Sequence, residues 1–143
     1  MEKHKNYIIS IIGSIRDKYK KYLENELAKH GIKGILSTHG SILAVLYKNN
    51  GKLKVTEIAK KCEKAKSTMT ELVQKLEKNG YVEKIRCAQD RRSVYVHLTQ
   101  KAYLIQNDFV DISKNLLEKV YQGMSLENQE KLLDLLFQVN ENF

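Results

Sequence analysis

The sequence predicts a mostly α-helical chain that carries one small β-hairpin. Apolar residues recur at the three-and-four spacing of a single helix face through most of the chain. Two β-branched and aromatic runs bracket a polar stretch at residues 88–93. None of the 143 residues is proline, so glycine and polar capping residues must end each helix. With 42% apolar residues, the chain is long enough to bury one continuous core.

A first helix is expected over about residues 3–29, where Ile8, Ile11, Ile12, Ile15, Tyr19, Tyr22, Leu23 and Leu27 share one face; Gly31 and Gly34 end it. Ser37 or Thr38 can cap a second helix by accepting from its free first-turn amides. That helix turns Ile42, Leu43, Leu46 and Tyr47 inward and stops at Asn49, Asn50 and Gly51. A short third helix over about 55–61 presents Val55, Ile58, Ala59 and Cys62 on one face, with Thr56 as its cap. The fourth runs over about 66–79 with Met69, Leu72, Val73 and Leu76 inward, and Gly80 supplies the left-handed residue that terminates it.

Residues 81–87 and 94–98 then form the two strands of the hairpin. A fifth helix follows Thr99, marked by Leu104, Ile105, Phe109, Ile112, Leu116, Leu117 and Val120 and closed by Gly123. Ser125 caps a sixth. There Leu132, Leu133, Leu135, Leu136 and Val139 cover more than a narrow stripe, so burial on more than one side is expected. The order helix, turn, helix, hairpin over residues 55–98 is that of a winged helix-turn-helix, in which one helix can enter a major groove while the hairpin tip reaches along the backbone.

Charge points the same way. The formal net charge is +8, from 25 Lys plus Arg against 17 Asp plus Glu, which favours a polyanionic partner. Between Lys52 and Thr99 twelve basic residues face six acidic ones, so most of the surplus sits in this third of the chain. Nothing approaches the ~18 uninterrupted apolar residues of a membrane span, so no membrane partner is expected. Ser10, Gly13 and Ser14 interrupt the N-terminal isoleucines, which leaves no readable cleavable signal peptide. Cys62 and Cys87 match no zinc spacing and cannot form a disulfide framework. A cytoplasmic location is therefore expected, with no metal or cofactor. The absence of a phosphate-binding glycine loop, a nucleophile elbow or a metal-ligand motif argues against an enzyme.

On a helical wheel, Ser67, Glu71, Gln74 and Lys78 lie opposite the apolar face of the fourth helix, flanked by Thr70 and Lys75. Gln74 carries the donor and acceptor pair that reads adenine bidentately, and Lys75 can approach guanine or a phosphate. Ser67, Thr68 and Thr70 can bond phosphates near the helix start, where free amides and the positive dipole end favour an anion. At the hairpin tip Asp90, Arg91 and Arg92 cluster. The weakly hydrated, planar guanidinium of Arg92 suits a narrow minor groove, and Asp90 can orient it by a charge-assisted pair. Arg91 is expected on a phosphate. Lys66 and Arg86 complete the candidate DNA-binding set, while Lys84 is read as part of the hairpin stem.

The run at residues 66–82, Lys-Ser-Thr-Met-Thr-Glu-Leu-Val-Gln-Lys-Leu-Glu-Lys-Asn-Gly-Tyr-Val, resembles the recognition helix of the MarR family of multiple-antibiotic-resistance regulators. Residues 90–99, Asp-Arg-Arg-Ser-Val-Tyr-Val-His-Leu-Thr, are similar to its wing signature, an Asp-x-Arg followed by a strand and Leu-Thr. The likeness continues at residues 37–43 and 124–127 and spans almost the whole chain. It implies one MarR-like domain over 1–143, with a winged helix-turn-helix DNA-binding lobe at 37–99 and dimerisation helices at 1–36 and 100–143. It further implies Arg92 in the minor groove, Asp90 as its orienter, and the face of Ser67, Thr68, Thr70, Gln74 and Lys75 in the major groove.

A homodimer is also expected from the residues themselves, because the first, fifth and sixth helices are too apolar to lie exposed. A two-fold pair would offer its recognition helices roughly 34–36 Å apart to a pseudo-palindromic operator on double-stranded DNA. The resemblance implies repression relieved by a small-molecule effector, with Arg16, Tyr19, His39 and Tyr47 as candidate lining residues. Family members that sense peroxide resemble one another in a reactive cysteine on the first helix, which is absent here; Cys62 and Cys87 are read as packing residues. The competing reading is a winged-helix module for protein docking or RNA binding, without sequence-specific duplex readout.

Overall fold

The computed structural model describes residues 2–143, with side chains from residue 4 onward. Helices α1 (Glu2–Lys5) and α2 (Tyr7–Lys29) replace the single first helix expected, with the break at Asn6. A 3-10 turn (Ser37–His39) leads into α3 (Gly40–Lys48), β1 (Lys52–Lys54), α4 (Val55–Lys61) and α5 (Lys66–Lys78). Strands β2 (Val82–Arg86) and β3 (Val94–Leu98) form the hairpin. The expected fifth helix is interrupted at Ile105, giving α6 (Gln100–Leu104) and α7 (Gln106–Val120), and α8 (Leu126–Glu141) follows.

The sheet has three antiparallel strands in the order β1-β3-β2, one more than the hairpin expected. Its extra member, Lys-Leu-Lys, buries only Leu53, too short a pattern to show alternation. It is held by register pairs such as Leu53↔Val96 and by the Leu98 N–H donating to Gly51 O at 2.8 Å. Gly51 has φ 75°, and a Cβ there would run into the Tyr103 hydroxyl, so the turn into β1 requires glycine.

Two cap assignments change. Neither Ser37 nor Thr38 caps α3; instead Nδ1 of His39, a ring only 1% exposed, accepts from the Leu36 N–H at 3.0 Å. Thr56 is not the cap of α4, which already begins at Val55. The Glu57 carboxylate reaches back to accept from the Lys54 N–H at 3.1 Å, the acidic half of a capping box. At α5 the N-cap is Ala65, with no side-chain bond, so the first amides of that helix stay open. Ser125 caps α8 as expected, accepting from the Asn128 N–H at 3.2 Å, and Gly80 ends α5 at φ 80°.

The chain divides into two compact units, Met1–Ile112 and Ser113–Phe143. In the first, Ile42, Leu43 and Leu46 of α3 meet Ile58, Met69, Val73, Leu76, Val82 and Val96 in one core. Each such side chain is worth about 1.5–3 kcal/mol when fully buried. The core reaches beyond residues 37–99 at both ends, taking in Leu27, Ile32 and Ile35 before the lobe and Ala102, Phe109 and Ile112 after it. Two phenols tie these ends down: the Tyr81 hydroxyl donates to Lys33 O and the Tyr47 hydroxyl to Ala102 O, each at 2.5 Å.

Within this unit Ile8, Ile9, Ile11, Ile12 and Ile15 of α2 are each at least 40% exposed, so the N-terminal part of that helix's apolar face is open, while Leu23 and Leu27 at its other end pack on the core. In the second unit α8 buries no residue, and Leu133, Leu135, Leu136 and Phe137 stay exposed. Burial of α8 on more than one side is therefore not met within the chain. Among the described residues no helix is long and apolar enough to cross a membrane.

Candidate nucleic-acid interface

The orientation of α5 is set by its buried side. Met69, Val73 and Leu76 have no exposed surface, which turns Ser67, Glu71, Gln74 and Lys78 to solvent, with Lys66, Thr68, Thr70 and Lys75 also exposed. The C-terminal end is pinned by Lys101, whose Nζ donates to Asn79 O at 2.7 Å while lying 4.4 Å from the centre of the Tyr81 ring. An ammonium there also offsets the negative end of the helix dipole. Thr70 differs from expectation, since its hydroxyl donates to Lys66 O at 2.8 Å and its proton is already committed.

The wing loop between β2 and β3 is closed by the Cys87 N–H donating to Ser93 O and the Ser93 N–H donating to Asp90 O, each at 3.0 Å. The Asp90 carboxylate does not pair with the Arg92 guanidinium. It accepts from the Arg92 backbone N–H at 3.0 Å and from the Ser93 hydroxyl at 3.2 Å. Asp90 therefore shapes the turn that carries Arg92, an Asx-type role, because the backbone amides lie closer along the chain than the long guanidinium arm. Arg91 and Arg92 project into solvent with no ion pair among the described residues.

On β2 the register pairs Lys84 with buried Val96 and Arg86 with Val94, so both side chains leave the sheet on its α5 side. Arg86 is exposed, and Lys84 is half-buried. Glu77 of α5 holds Lys84 twice, accepting from its N–H at 3.2 Å and pairing with its Nζ at 3.8 Å. The stem position assigned to Lys84 thus conceals a side chain facing α5. Between the start of α4, the first turns of α5 and the wing lies a cleft of about 200 Å³, lined by Lys54, Val55, Thr56, Lys66, Thr70, Lys84, Arg92, Ser93 and Val94. Four basic residues and no acidic one contribute to its walls, although Lys54 holds its ammonium over the Tyr95 ring on the other face of the sheet. Sequence reasoning did not place Thr56 and Lys84 here; the alternation outward from buried Val82 was the available signal for Lys84.

The candidate effector residues are not gathered in this cleft. Arg16 is exposed and pairs with its neighbour Asp17 at 3.3 Å, and Tyr19 lies on the uncovered face of α2. Tyr47 is half-buried against Phe109, ring centres 5.5 Å apart, and burial pushes its phenol up to about 12. Burial, with Lys75 adding to it, lowers His39 below the usual imidazole range. His39 uses Nδ1 on Leu36, while its buried Nε2 has no partner. Cys62 packs against the core, whereas the Gln89 and Asp90 amides pull the Cys87 thiol below its ordinary value. Among the described residues no cluster of three His, Cys, Asp or Glu side chains could hold a metal ion.

Residues 35–94 match the model of the MarR family. Over 130 residues the chain is 30% identical to the HTH-type transcriptional regulator SarZ of Staphylococcus epidermidis, covering 91% of this chain and 84% of that protein. The chain belongs to the MarR family. Two solved MarR-type structures share its fold. Sco3205 of Streptomyces coelicolor, a MarR family transcriptional regulator in complex with DNA, aligns at TM-score 0.82 and 22% identity over 99% of this chain and 88% of that one. The S. aureus MepR–DNA complex aligns at TM-score 0.83 and 21% identity over 95% and 98%. The MarR architecture, mostly helical with a small antiparallel wing, thus accounts for nearly every residue of this chain.

Proposed function

We propose that this MarR-family protein is a transcription regulator that binds duplex DNA sequence-specifically, as a homodimer on a pseudo-palindromic operator. One observation carries the reading. The polar face of α5 and the wing arginines are joined into a single cationic surface by the cleft, whose walls include Lys66 of α5 and Arg92 of the wing. In this arrangement α5 enters the major groove with Gln74 on adenine and Lys75 on guanine or a phosphate. Arg92 enters the adjoining minor groove, and Lys66, Lys78, Arg86 and Arg91 meet phosphates. That Sco3205 and MepR have each been solved with DNA supports the placement.

The uncovered apolar faces of α2 and α8 support a second copy as their partner, since exposed faces of this kind are unfavourable in a monomer. The protein acts in the cytoplasm as a repressor, not a catalyst, and a small-molecule effector relieves it by favouring a dimer whose recognition helices no longer match the half-site spacing. Of the four candidate effector residues, Arg16 and Tyr19 are the exposed ones.

Selection from random duplexes tests the reading. A pseudo-palindrome should be enriched, with half-sites roughly 34–36 Å apart and affinity falling steeply with salt. If no motif is enriched while single-stranded RNA or a protein binds instead, the duplex reading fails.

A further inference from the structure

We infer that the outer face of the three-stranded sheet, the side turned away from α5, is a docking surface for an acidic segment of a partner protein, with Lys52 and Lys54 pairing with its carboxylates while Ile85 and Tyr95 receive an apolar side chain. The surface lies outside the DNA-binding set, so a protein held there leaves α5 and the wing tip free.

Register places the residues. Buried Leu53, Val82, Val96 and Leu98 point into the core, so the alternate positions share the opposite face: Lys52 and Lys54 on β1, Tyr95 and His97 on β3, Glu83 and Ile85 on β2. Lys52 and Ile85 are exposed, and Tyr95 and His97 are half-buried. The Tyr95 ring gathers both ammonium groups, its centre 4.6 Å from that of Lys52 and 5.6 Å from that of Lys54. The His97 ring stands edge-on to it, with ring centres 6.5 Å apart.

Charge and spacing select the occupant. Among the described residues neither ammonium is paired with a carboxylate. Glu83, on the same face, lies two strands from Lys52, about 10 Å by strand spacing. Two like charges held beside one ring favour an anion. Lys52 and Lys54 are separated by two residues of strand, roughly 6.8 Å, the step between carboxylates at alternate positions of an extended acidic segment. The Lys54 N–H is already taken by Glu57, so the segment lies on this face rather than lengthening the sheet beyond β1. Ile85, 45% exposed and directly across from Tyr95, gives the apolar contact, and Glu83 beside it turns acids toward β1. Nucleic acid fits less well, because the Lys52 ammonium covers a face of Tyr95 on which a base would stack and Glu83 opposes a phosphate strand.

Random peptides displayed on phage, selected on the full-length protein and counter-selected on Lys52→Glu, test the assignment whether or not the protein binds duplex DNA. Enriched sequences should carry at least two acidic residues and an apolar one. The most enriched peptide, made synthetically, should bind Lys52→Glu about fivefold or more weakly than wild type, and Ile85→Ser about two- to fivefold more weakly. It should move the amide NMR resonances of residues 52–54, 83–85 and 95–97, and the same spectra check that each variant is folded. Operator affinity of Ile85→Ser should stay within about twofold of wild type, and the peptide should bind the operator complex as well as the free protein. Enrichment that ignores Lys52, resonance shifts away from this face, or loss of peptide binding when operator is added overturns the assignment. So does a uridine oligonucleotide that moves these resonances where no peptide does, which gives the face to nucleic acid, or shifts that grow with protein concentration alone, which give it to a second copy.

Discussion

Asp90 offers the sharpest separation between two accounts of the wing. If its carboxylate worked by pairing with the Arg92 guanidinium, removing the charge would suffice to damage DNA binding. In the structure it accepts from the Arg92 N–H at 3.0 Å and the Ser93 hydroxyl at 3.2 Å, and both bonds need an acceptor oxygen rather than a full charge. Asp90→Asn preserves an acceptor for the amide, and its NH2 can still meet the Ser93 oxygen. Asp90→Ala loses both bonds. Two solvent-exposed hydrogen bonds at the low end of the usual range are worth about 1–2 kcal/mol together, which converts to roughly 5–30-fold if the turn must be ordered to insert Arg92. Fluorescence anisotropy on a selected operator at fixed salt should therefore show Asp90→Asn within about twofold of wild type and Asp90→Ala weakened by that factor. Melting temperatures should hardly differ, because the tip lies outside the core. Equal, large losses for Asn and Ala would refute the turn-shaping role and restore the ion pair.

Three further outcomes are expected. His39 is held neutral by burial below its ordinary value of 6.5, so the unfolded chain takes the proton first: its contribution to stability is complete above that value and is lost as pH falls below it toward the folded-state value. Urea unfolding at pH 7 and pH 5 should show the loss, and His39→Gln, although less stable at neutral pH, should lose less on acidification. Leu76→Ala, at a position with no exposed surface, should cost about 2–5 kcal/mol in the same assay, and a cost below about 1 kcal/mol would contradict its place in the core. Ile12→Glu on the open face of α2 should shift sedimentation from dimer toward monomer and weaken operator binding with it; an unchanged dimer would move the interface off that face.

The helices of the lobe were legible because each buries one face, and the periodic set Met69, Val73 and Leu76 carries that information locally. Gly80 marked the end of α5 for an equally local reason, a left-handed backbone at φ 80°. What escaped depended on distant partners. The strand at Lys52–Lys54 exists because β3 pairs with it, and a single buried leucine cannot announce that. Ser37, Thr38 and Thr56 were plausible caps by residue type, but His39 was held in place by the core and Glu57 had the reach to bond the Lys54 amide. At the site, charge pattern alone located the wing arginines and the outer face of α5. It could not show that Lys84 faces α5 or that the Thr70 proton is committed, since those are consequences of sheet register and packing.

The reading of bases by α5 is the central claim, and parallel random-duplex selections with wild type and Gln74→Ala test it most directly. Wild type should enrich a pseudo-palindrome with a fixed adenine at one symmetric position per half-site. The variant should enrich the same motif with that position relaxed, as loss of a bidentate contact worth about 1–3 kcal/mol requires. An identical, fully specified motif from both proteins would contradict the placement of α5 in the major groove with Gln74 on a base.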